Sequence, residues 1–132
     1  MLFRSMIVAV GVDSVAIARL ADLLDAQGDR LWQRLCTDEE ARYCRSRARP
    51  AESLAARFAA KEAAMKCLGT GWSAGVGFRD IEVTRRDDGA VGMRLAGAAA
   101  ARATALGVVR WHVSLTHTDD VATAFVVAEG RA

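Results

Sequence analysis

Residues 54–68 read LAARFAAKEAAMKCL and say more about the fold than any other part of the chain. Pro50 suits the first turn of a helix, and Gly69 suits its C-terminal cap, so we predict a helix over residues 51–68. Large apolar side chains share one face of this helix, and alanines cover much of the opposite face. We therefore expect it to be buried over most of its circumference.

Within residues 54–68 four charged residues interrupt the apolar sequence: Arg57, Lys61, Glu62 and Lys66. Charges on a buried helix must be paired or must bind something. Glu62 and Lys66 are four residues apart, and one interpretation is a helix-stabilising pair worth about 0.2–0.5 kcal/mol. The other interpretation is phosphate binding, because the only two lysines among 18 basic residues stand here and ammonium groups suit phosphate. Both interpretations stay open at this point.

The apolar run of residues 6–12 predicts a buried strand that ends at Asp13. In one interpretation Asp13 is the N-cap of a following helix, a role that Ser14 could also fill. In the other it binds a ligand, because open α/β folds bind ligands at strand ends. Asp13 and Glu62 together could hold one Mg²⁺, which commonly takes one or two carboxylates plus phosphate oxygens and waters.

Residues 113–120 read VSLTHTDD and end a predicted strand in hydroxyl, imidazole and carboxylate groups. A segment rich in Thr and Asp is often only a turn. Alternatively, His117 between two threonines suits contacts to phosphate or ribose. A zinc site is not expected, because His112 and His117 fit none of the usual ligand spacings with the three cysteines.

The composition indicates one folded domain. The 132 residues are 52% hydrophobic with a net charge of +2 and 6% aromatics, which argues against disorder and against nucleic-acid binding. The run of residues 6–12 is far too short to span a membrane. None of the three cysteines belongs to a C-x-x-C pair, so reduced thiols in a cytoplasmic protein are the simplest interpretation.

Periodicity and turn signals predict the remaining elements. We expect helices over residues 15–26, 38–46 and 97–106, and strands over residues 80–86, 91–95, 110–116 and 121–129. Thr37 and Glu40 form a capping-box pattern at the start of a helix. No repeat or linker divides the chain, so we predict a single α+β domain over residues 1–132, with residues 1–5 outside its ordered part.

Three segments occur in order: VGVDSV at 10–15, RFAAKEA at 57–63 followed by Lys66 and by GTG at 69–71, and WHVSLTHT at 111–118. Together they closely resemble the holo-[acyl-carrier-protein] synthase family of small bacterial 4′-phosphopantetheinyl transferases. The resemblance implies a compact α+β domain of that type, with a small, mostly antiparallel sheet packed with helices. It also implies a homotrimer whose sites lie between subunits.

The resemblance implies an activity as well: 4′-phosphopantetheine moves from coenzyme A to a serine of apo acyl carrier protein, releasing adenosine 3′,5′-bisphosphate. Asp13 and Glu62 match the family's Mg²⁺ ligands, and with Lys66, near the pyrophosphate, they form the expected catalytic group. Arg19 matches a basic position that meets the carrier's acidic helix. The residues expected to contact coenzyme A are Lys61, Gly69, Gly71, Ser114, Thr116 and His117.

Two other functions compete with this one. A non-catalytic module that binds coenzyme A or carrier protein would not need Asp13, Glu62 and Lys66 together, so their presence favours the transferase. A Mg²⁺-dependent nucleotide hydrolase would need a phosphate loop or a base motif, and the sequence contains neither.

Overall fold

The computed structural model describes residues 4–70 and 75–132, and these form two antiparallel sheets and five α-helices. In chain order the elements are β1 (Ser5–Ala16), α1 (Ile17–Gln27), α2 (Asp29–Leu35), α3 (Asp38–Arg45), α4 (Pro50–Leu68), a 3-10 turn (Phe78–Asp80), β2 (Ile81–Arg85), β3 (Val91–Leu95), α5 (Gly97–Ala105), β4 (Val108–His117) and β5 (Val121–Arg131). The larger sheet has the strand order β1-β5-β4, and β2 pairs with β3 in a separate hairpin. The predicted α+β class and antiparallel sheet are confirmed.

One face of the three-stranded sheet packs against α4. Side chains alternate between the two faces of a strand, and on β5 the inward residues are small. Ala122, Ala124, Val126 and Ala128 are fully buried, whereas Phe125, which points to the other face, is 45% exposed. The small inward side chains let the α4 backbone lie close to the strands, so this helix occupies the centre of the core.

Helix α4 begins one residue before the predicted start and ends where the sequence predicts. Pro50 stands in its first turn, and Gly69 caps its end with a φ of 71°, a left-handed conformation that glycine adopts without strain. Thirteen of its 19 residues are buried, so the predicted burial around most of the helix is confirmed. The predicted capping box of α3 is also present, with Thr37 N donating to Glu40 Oε1 at 3.0 Å.

The start of the chain differs from the prediction. Strand β1 does not end at Asp13 but continues to Ala16, because its residues keep pairing with β5 as far as Val121. Helix α1 starts only at Ile17, with Ala16 in the N-cap position, so the interpretation of Asp13 or Ser14 as an N-cap was wrong. Residue 5 also lies in β1, contrary to the expectation for residues 1–5, whereas residues 1–3 lie outside the described part of the chain.

The sequence analysis missed α2, a seven-residue helix whose Leu31, Trp32 and Leu35 are buried. It also missed the 3-10 turn that leads into β2. Within the described residues, the structure contains no helix long and apolar enough to cross a membrane.

Candidate active site

Strand β1 and helix α4 touch at Gly11. A Cβ on this residue would overlap the carbonyl oxygen of Ala63 and would lie 3.2 Å from Cys67 Sγ. Gly11 and Asp13 are two positions apart on one strand, so both face α4. The missing side chain at Gly11 thus allows Asp13 to lie beside the turns of α4 that follow Ala63.

Lys66 joins the strand to the helix at this point. Its Nζ donates hydrogen bonds to the Val12 carbonyl oxygen at 2.9 Å and to Asp13 Oδ1 at 3.1 Å. The Lys66 side chain is 55% exposed and the Asp13 side chain 22%. An ion pair that is this open to solvent contributes only about 0–1 kcal/mol to stability. The Asp13–Lys66 pair is therefore accessible to a ligand and is not needed to hold the fold together.

Glu62 lies one helical turn before Lys66 and directly before Ala63, and its side chain is half-buried. The side-chain donors that Asp13 and Glu62 offer are carboxylate oxygens, which suit Mg²⁺ better than a thiophilic metal. In residues 4–70 and 75–132 no group of three or more His, Cys, Asp or Glu side chains could hold a metal. An ion held by only these two carboxylates would take its other ligands from phosphate oxygens and water, as Mg²⁺ commonly does.

Lys61 does not face this site, and the prediction that it contacts coenzyme A is wrong. Its side chain is 1% exposed. Its Nζ donates to the Leu35 carbonyl at 2.7 Å, to Glu40 Oε1 at 2.6 Å and to the Phe78 carbonyl at 2.9 Å. An ammonium group has three protons, and these acceptors use all of them. Lys61 is a structural lysine that ties α4 to α2, α3 and the turn before β2.

The residues predicted at the end of β4 lie on two faces of the sheet. Ser114 and Thr116 are exposed on the outer face, away from α4, and Thr116 pairs in register with Thr123. His117 belongs to the inner face, one row of residues beyond Asp13 and at the opposite edge of the sheet. Within one chain, therefore, the structure does not bring Ser114 and Thr116 together with Asp13.

His117 contacts the start of α4. Its Nε2 lies 3.4 Å from Glu52 Oε1, and its Nδ1 lies 3.2 Å from the Thr118 carbonyl oxygen. Glu52 also pairs with Arg49 at 2.8 Å. Glu52 therefore links His117 to Arg49, the N-cap residue of α4.

The other predicted site residues lie at helix ends and on the surface. Gly69 is the left-handed cap of α4, where its conformation serves the helix end. Gly71 lies outside the described residues. Arg19 is exposed on α1, with its guanidinium carbon 5.4 Å from the centre of the Phe58 ring. A groove of ≈ 160 Å³ lies beside Arg19 and is also lined by Leu23, Leu31 and Arg34.

Thiol chemistry does not belong to this site. Burial raises the pKa of Cys36 to about 12 and that of Cys44 to about 11. Burial also raises the pKa of Cys67, which lies under Gly11. All three side chains are free and buried, and a protonated buried thiol is a poor nucleophile.

Comparison with known proteins identifies the family. The family model described as "4'-phosphopantetheinyl transferase superfamily" matches residues 9–126, which include the strand, the helix and the sheet end described above. The chain belongs to the 4′-phosphopantetheinyl transferase superfamily. The resemblance stated from three short segments is thereby confirmed.

Relatives within the superfamily cover nearly the whole chain. A holo-[acyl-carrier-protein] synthase of Koribacter versatilis is 46% identical over 124 residues, which are 94% of this chain and 99% of that protein. The crystal structure of the Neisseria meningitidis synthase has a TM-score of 0.85 at 33% identity, covering 93% of this chain and 98% of the other. The Bacillus anthracis synthase in complex with CoA (3',5'-ADP) has a TM-score of 0.77 at 32% identity, covering 95% and 98%.

Sequence analysis did not predict the contacts of three residues: Gly11, Glu52 and Arg57. Gly11 carried a signal, a glycine inside an apolar strand, which often marks a close backbone approach. Glu52 gave none, because its partner His117 is distant in sequence. Arg57 was recognised as a charge on a buried helix, but its contact with the Tyr43 ring depends on tertiary packing.

Proposed function

We propose that this chain transfers 4′-phosphopantetheine from coenzyme A to a serine of apo acyl carrier protein and releases adenosine 3′,5′-bisphosphate. The observation that carries the proposal is the open Asp13–Lys66 pair beside the helix turn that bears Glu62. The names of the relatives support it, as does the Bacillus anthracis structure in complex with CoA (3',5'-ADP).

Asp13 and Glu62 would hold Mg²⁺ in this reaction, because their oxygen donors suit that ion and leave positions for ligand phosphates. When bound, the ion neutralises negative charge on the pyrophosphate. Each carboxylate also needs a fixed position, which Gly11 and Ala63 provide by holding β1 against α4. Binding of Mg²⁺ would therefore depend on the position of β1 relative to α4.

Lys66 has the charge and exposure to assist the leaving group. The serine oxygen attacks the β-phosphorus of coenzyme A and forms a new phosphorus–oxygen bond. The bond from that phosphorus to the bridging oxygen breaks, and adenosine 3′,5′-bisphosphate leaves with the electron pair. The serine proton passes to solvent. The ammonium of Lys66, held at 3.1 Å from Asp13 Oδ1, stabilises the charge that develops on the departing oxygens.

The carrier protein would dock at the groove between α1 and α2. Arg19 and Arg34 stand on this groove beside apolar Leu23 and Leu31. Two cations flanking an apolar groove complement an acidic amphipathic helix, and such attraction raises association rates and weakens with added salt. We therefore expect the carrier's KM to rise with ionic strength, more steeply for wild type than for Arg19→Gln.

We also propose a homotrimer in the cytoplasm, with the reaction site shared between subunits. The outer face of the three-stranded sheet exposes apolar side chains, with Val10 at 51%, Val12 at 52% and Phe125 at 45%. A contiguous apolar face of this kind commonly marks an interface. Ser114 and Thr116 share this outer face, so a neighbouring subunit would bring them to a site that one chain leaves divided. A Phe125→Glu variant should sediment as a smaller species, and a monomeric wild type would contradict the trimer.

The direct experiment mixes the protein with coenzyme A, Mg²⁺ and apo acyl carrier protein and weighs the carrier by mass spectrometry. Gain of one phosphopantetheine group is expected. Carrier or coenzyme A binding without any adduct would instead support a binding module, and phosphate release without carrier would support a hydrolase. Binding of a cognate carrier without an adduct contradicts the proposal, and so does phosphate release from coenzyme A in the absence of carrier.

The same assay tests the site residues. Glu62→Gln should abolish transfer while leaving the circular dichroism spectrum unchanged. Glu39→Gln is the matched control, because the ion pair of this carboxylate with Arg42 lies exposed on the surface of α3. Lys66→Arg should lower kcat, since a planar guanidinium does not replace a compact ammonium. An unaffected rate in Glu62→Gln would reject the assignment of Glu62.

A further inference from the structure

Tyr43 on α3 is surrounded by three arginines from different parts of the chain. The guanidinium carbons of Arg57, Arg85 and Arg47 lie 4.4, 5.2 and 5.5 Å from the centre of its ring. The face of an aromatic ring attracts each cation. Three positive charges around one ring nevertheless repel one another, and a bound anion would reduce this repulsion.

Arg57 has the strongest need for a partner. Its side chain is 3% exposed, and its Nε has no hydrogen-bond partner. A buried polar group without an acceptor costs free energy, and a charged one costs more. Across residues 4–70 and 75–132, Arg47, Arg57 and Arg85 contact the ring of Tyr43 but form no ion pair with any carboxylate.

A cavity of ≈ 450 Å³ opens beside this cluster, and Tyr43, Arg57 and Arg85 line it. Three carboxylates line it as well, but each already has partners. These are Glu39 with Arg42 at 2.8 Å, Glu40 with Lys61 at 2.6 Å, and Glu82 with the Thr37 hydroxyl at 2.7 Å and Arg94 at 3.7 Å. The three lining carboxylates thus pair with other residues, and none of them forms an ion pair with the arginines at Tyr43.

We propose that this cavity binds a phosphate group, which Arg57 and Arg85 hold beside Tyr43. A phosphate dianion can offset two guanidinium charges, and its oxygens match the planar donor fork of arginine. A singly charged carboxylate would offset only one. Arg57 and Lys66 are nine residues apart on α4, which places them about half a turn apart around the helix at roughly 100° per residue. The phosphate site is therefore separate from the Asp13–Lys66 pair of the same chain.

Tyr43 is the only tyrosine of the chain, so protein labelled with ¹³C only in tyrosine gives ring signals from this site alone. Inorganic phosphate, titrated at constant ionic strength into the full-length protein without coenzyme A or carrier, should shift these signals saturably. Arg85 is exposed on β2, so Arg85→Gln should keep the fold and weaken phosphate binding by roughly tenfold, as expected for loss of a charge-assisted hydrogen bond.

Arg86→Gln is the matched control, because Arg86 follows Arg85 directly but pairs with Asp88 at 2.8 Å. Its phosphate affinity should stay within twofold of wild type. Arg57→Gln should abolish binding if it folds, and Arg85→Gln carries the test if it does not. Signals that do not saturate, that respond equally to chloride, or that weaken equally in Arg85→Gln and Arg86→Gln would overturn the proposal.

The source of the phosphate is decided by comparing inorganic phosphate with adenosine 3′-monophosphate, with adenosine as the blank. Tighter binding of the nucleotide would mean that the phosphate arrives on a nucleotide, and equal affinity would mean that free phosphate suffices. The proposal is independent of the transfer reaction. Glu62→Gln should lose transfer and keep phosphate binding, so the two assignments can fail separately.

Discussion

Replacing Lys61 by methionine should destabilise the protein strongly, although Lys61 does not belong to the reaction site. Its ammonium donates three buried hydrogen bonds of 2.6–2.9 Å, and its carboxylate partner Glu40 is 2% exposed. Removing one member of a buried ion pair leaves an uncompensated charge and costs about 3–5 kcal/mol. Since a chain of this length has a free energy of unfolding of about 7–20 kcal/mol, the variant should fold but with much less stability.

Urea denaturation followed by tryptophan fluorescence measures this loss. With a denaturant slope of about 1–3 kcal/mol/M, a loss of 3 kcal/mol lowers the midpoint by about 1–3 M. The matched control is Lys66→Met, whose ion pair with Asp13 is largely exposed and should cost only about 0–1 kcal/mol. The effects on transfer activity should be the opposite of those on stability: Lys66→Met should be inactive, and the folded fraction of Lys61→Met should be active.

A second substitution separates the buried charge from simple loss of packing. The double variant Lys61→Met with Glu40→Gln removes both charges of this pair, so no unpaired carboxylate is left beside the site that Lys61 vacates. We expect this variant to recover more than 1 kcal/mol of the loss, a coupling typical of residues in one network. A loss below about 1 kcal/mol in Lys61→Met, or no recovery in the double variant, would refute the reasoning from burial and pairing.

Three further outcomes follow from the core and the sheet. Gly11→Ala should lower the free energy of unfolding by about 1–3 kcal/mol and also lower transfer activity, because the new Cβ meets the Ala63 carbonyl. Gly77→Ala is the control, since a Cβ at Gly77 meets nothing within 4 Å. It should keep both stability and activity in the same denaturation and transfer assays. Cys36 and Cys44, with pKa values raised by burial to about 12 and about 11, should not react with Ellman's reagent at pH 8 until urea unfolds the chain; rapid labelling of folded protein would contradict their burial. A hydrogen bond from His112 holds the pKa of Glu129 below its usual range. Wild type should therefore be more stable than Glu129→Gln at neutral pH, and this advantage should be lost as pH falls through the lowered pKa. Urea midpoints of the two proteins, measured across pH, test this.

The sequence predicts the parts of the fold that depend on local signals. The limits of α4 follow from Pro50 and Gly69, and the capping box of α3 follows from Thr37 and Glu40. Helix α2 has no comparable signal, because a seven-residue helix is marginal by itself and gains stability from packing. Its formation depends on burial of apolar side chains against the rest of the core.

Predictions that depended on distant partners were less successful. Asp13 ends the apolar run, but the strand continues past it because β5 supplies pairing partners from the far end of the sequence. Lys61 was expected to meet a phosphate, and its actual partner Glu40 lies 21 residues away on another helix. In both cases the deciding contact joins residues that are distant in sequence and forms only in the folded chain.

One buried helix carries both the structural ammonium of Lys61 and the exposed ammonium of Lys66 that we propose for the transfer reaction. Lys61 and Lys66 are five residues apart, which turns their side chains about 140° from each other around the helix axis. One direction leads into the core, where an ammonium is tolerated only with all its protons paired. The other leads past Glu62 to the open edge of β1, where the ammonium keeps solvent access beside Asp13. Because both directions are fixed by the same helix, a shift of α4 on the sheet at Gly11 would disturb the reaction site and the buried pair together.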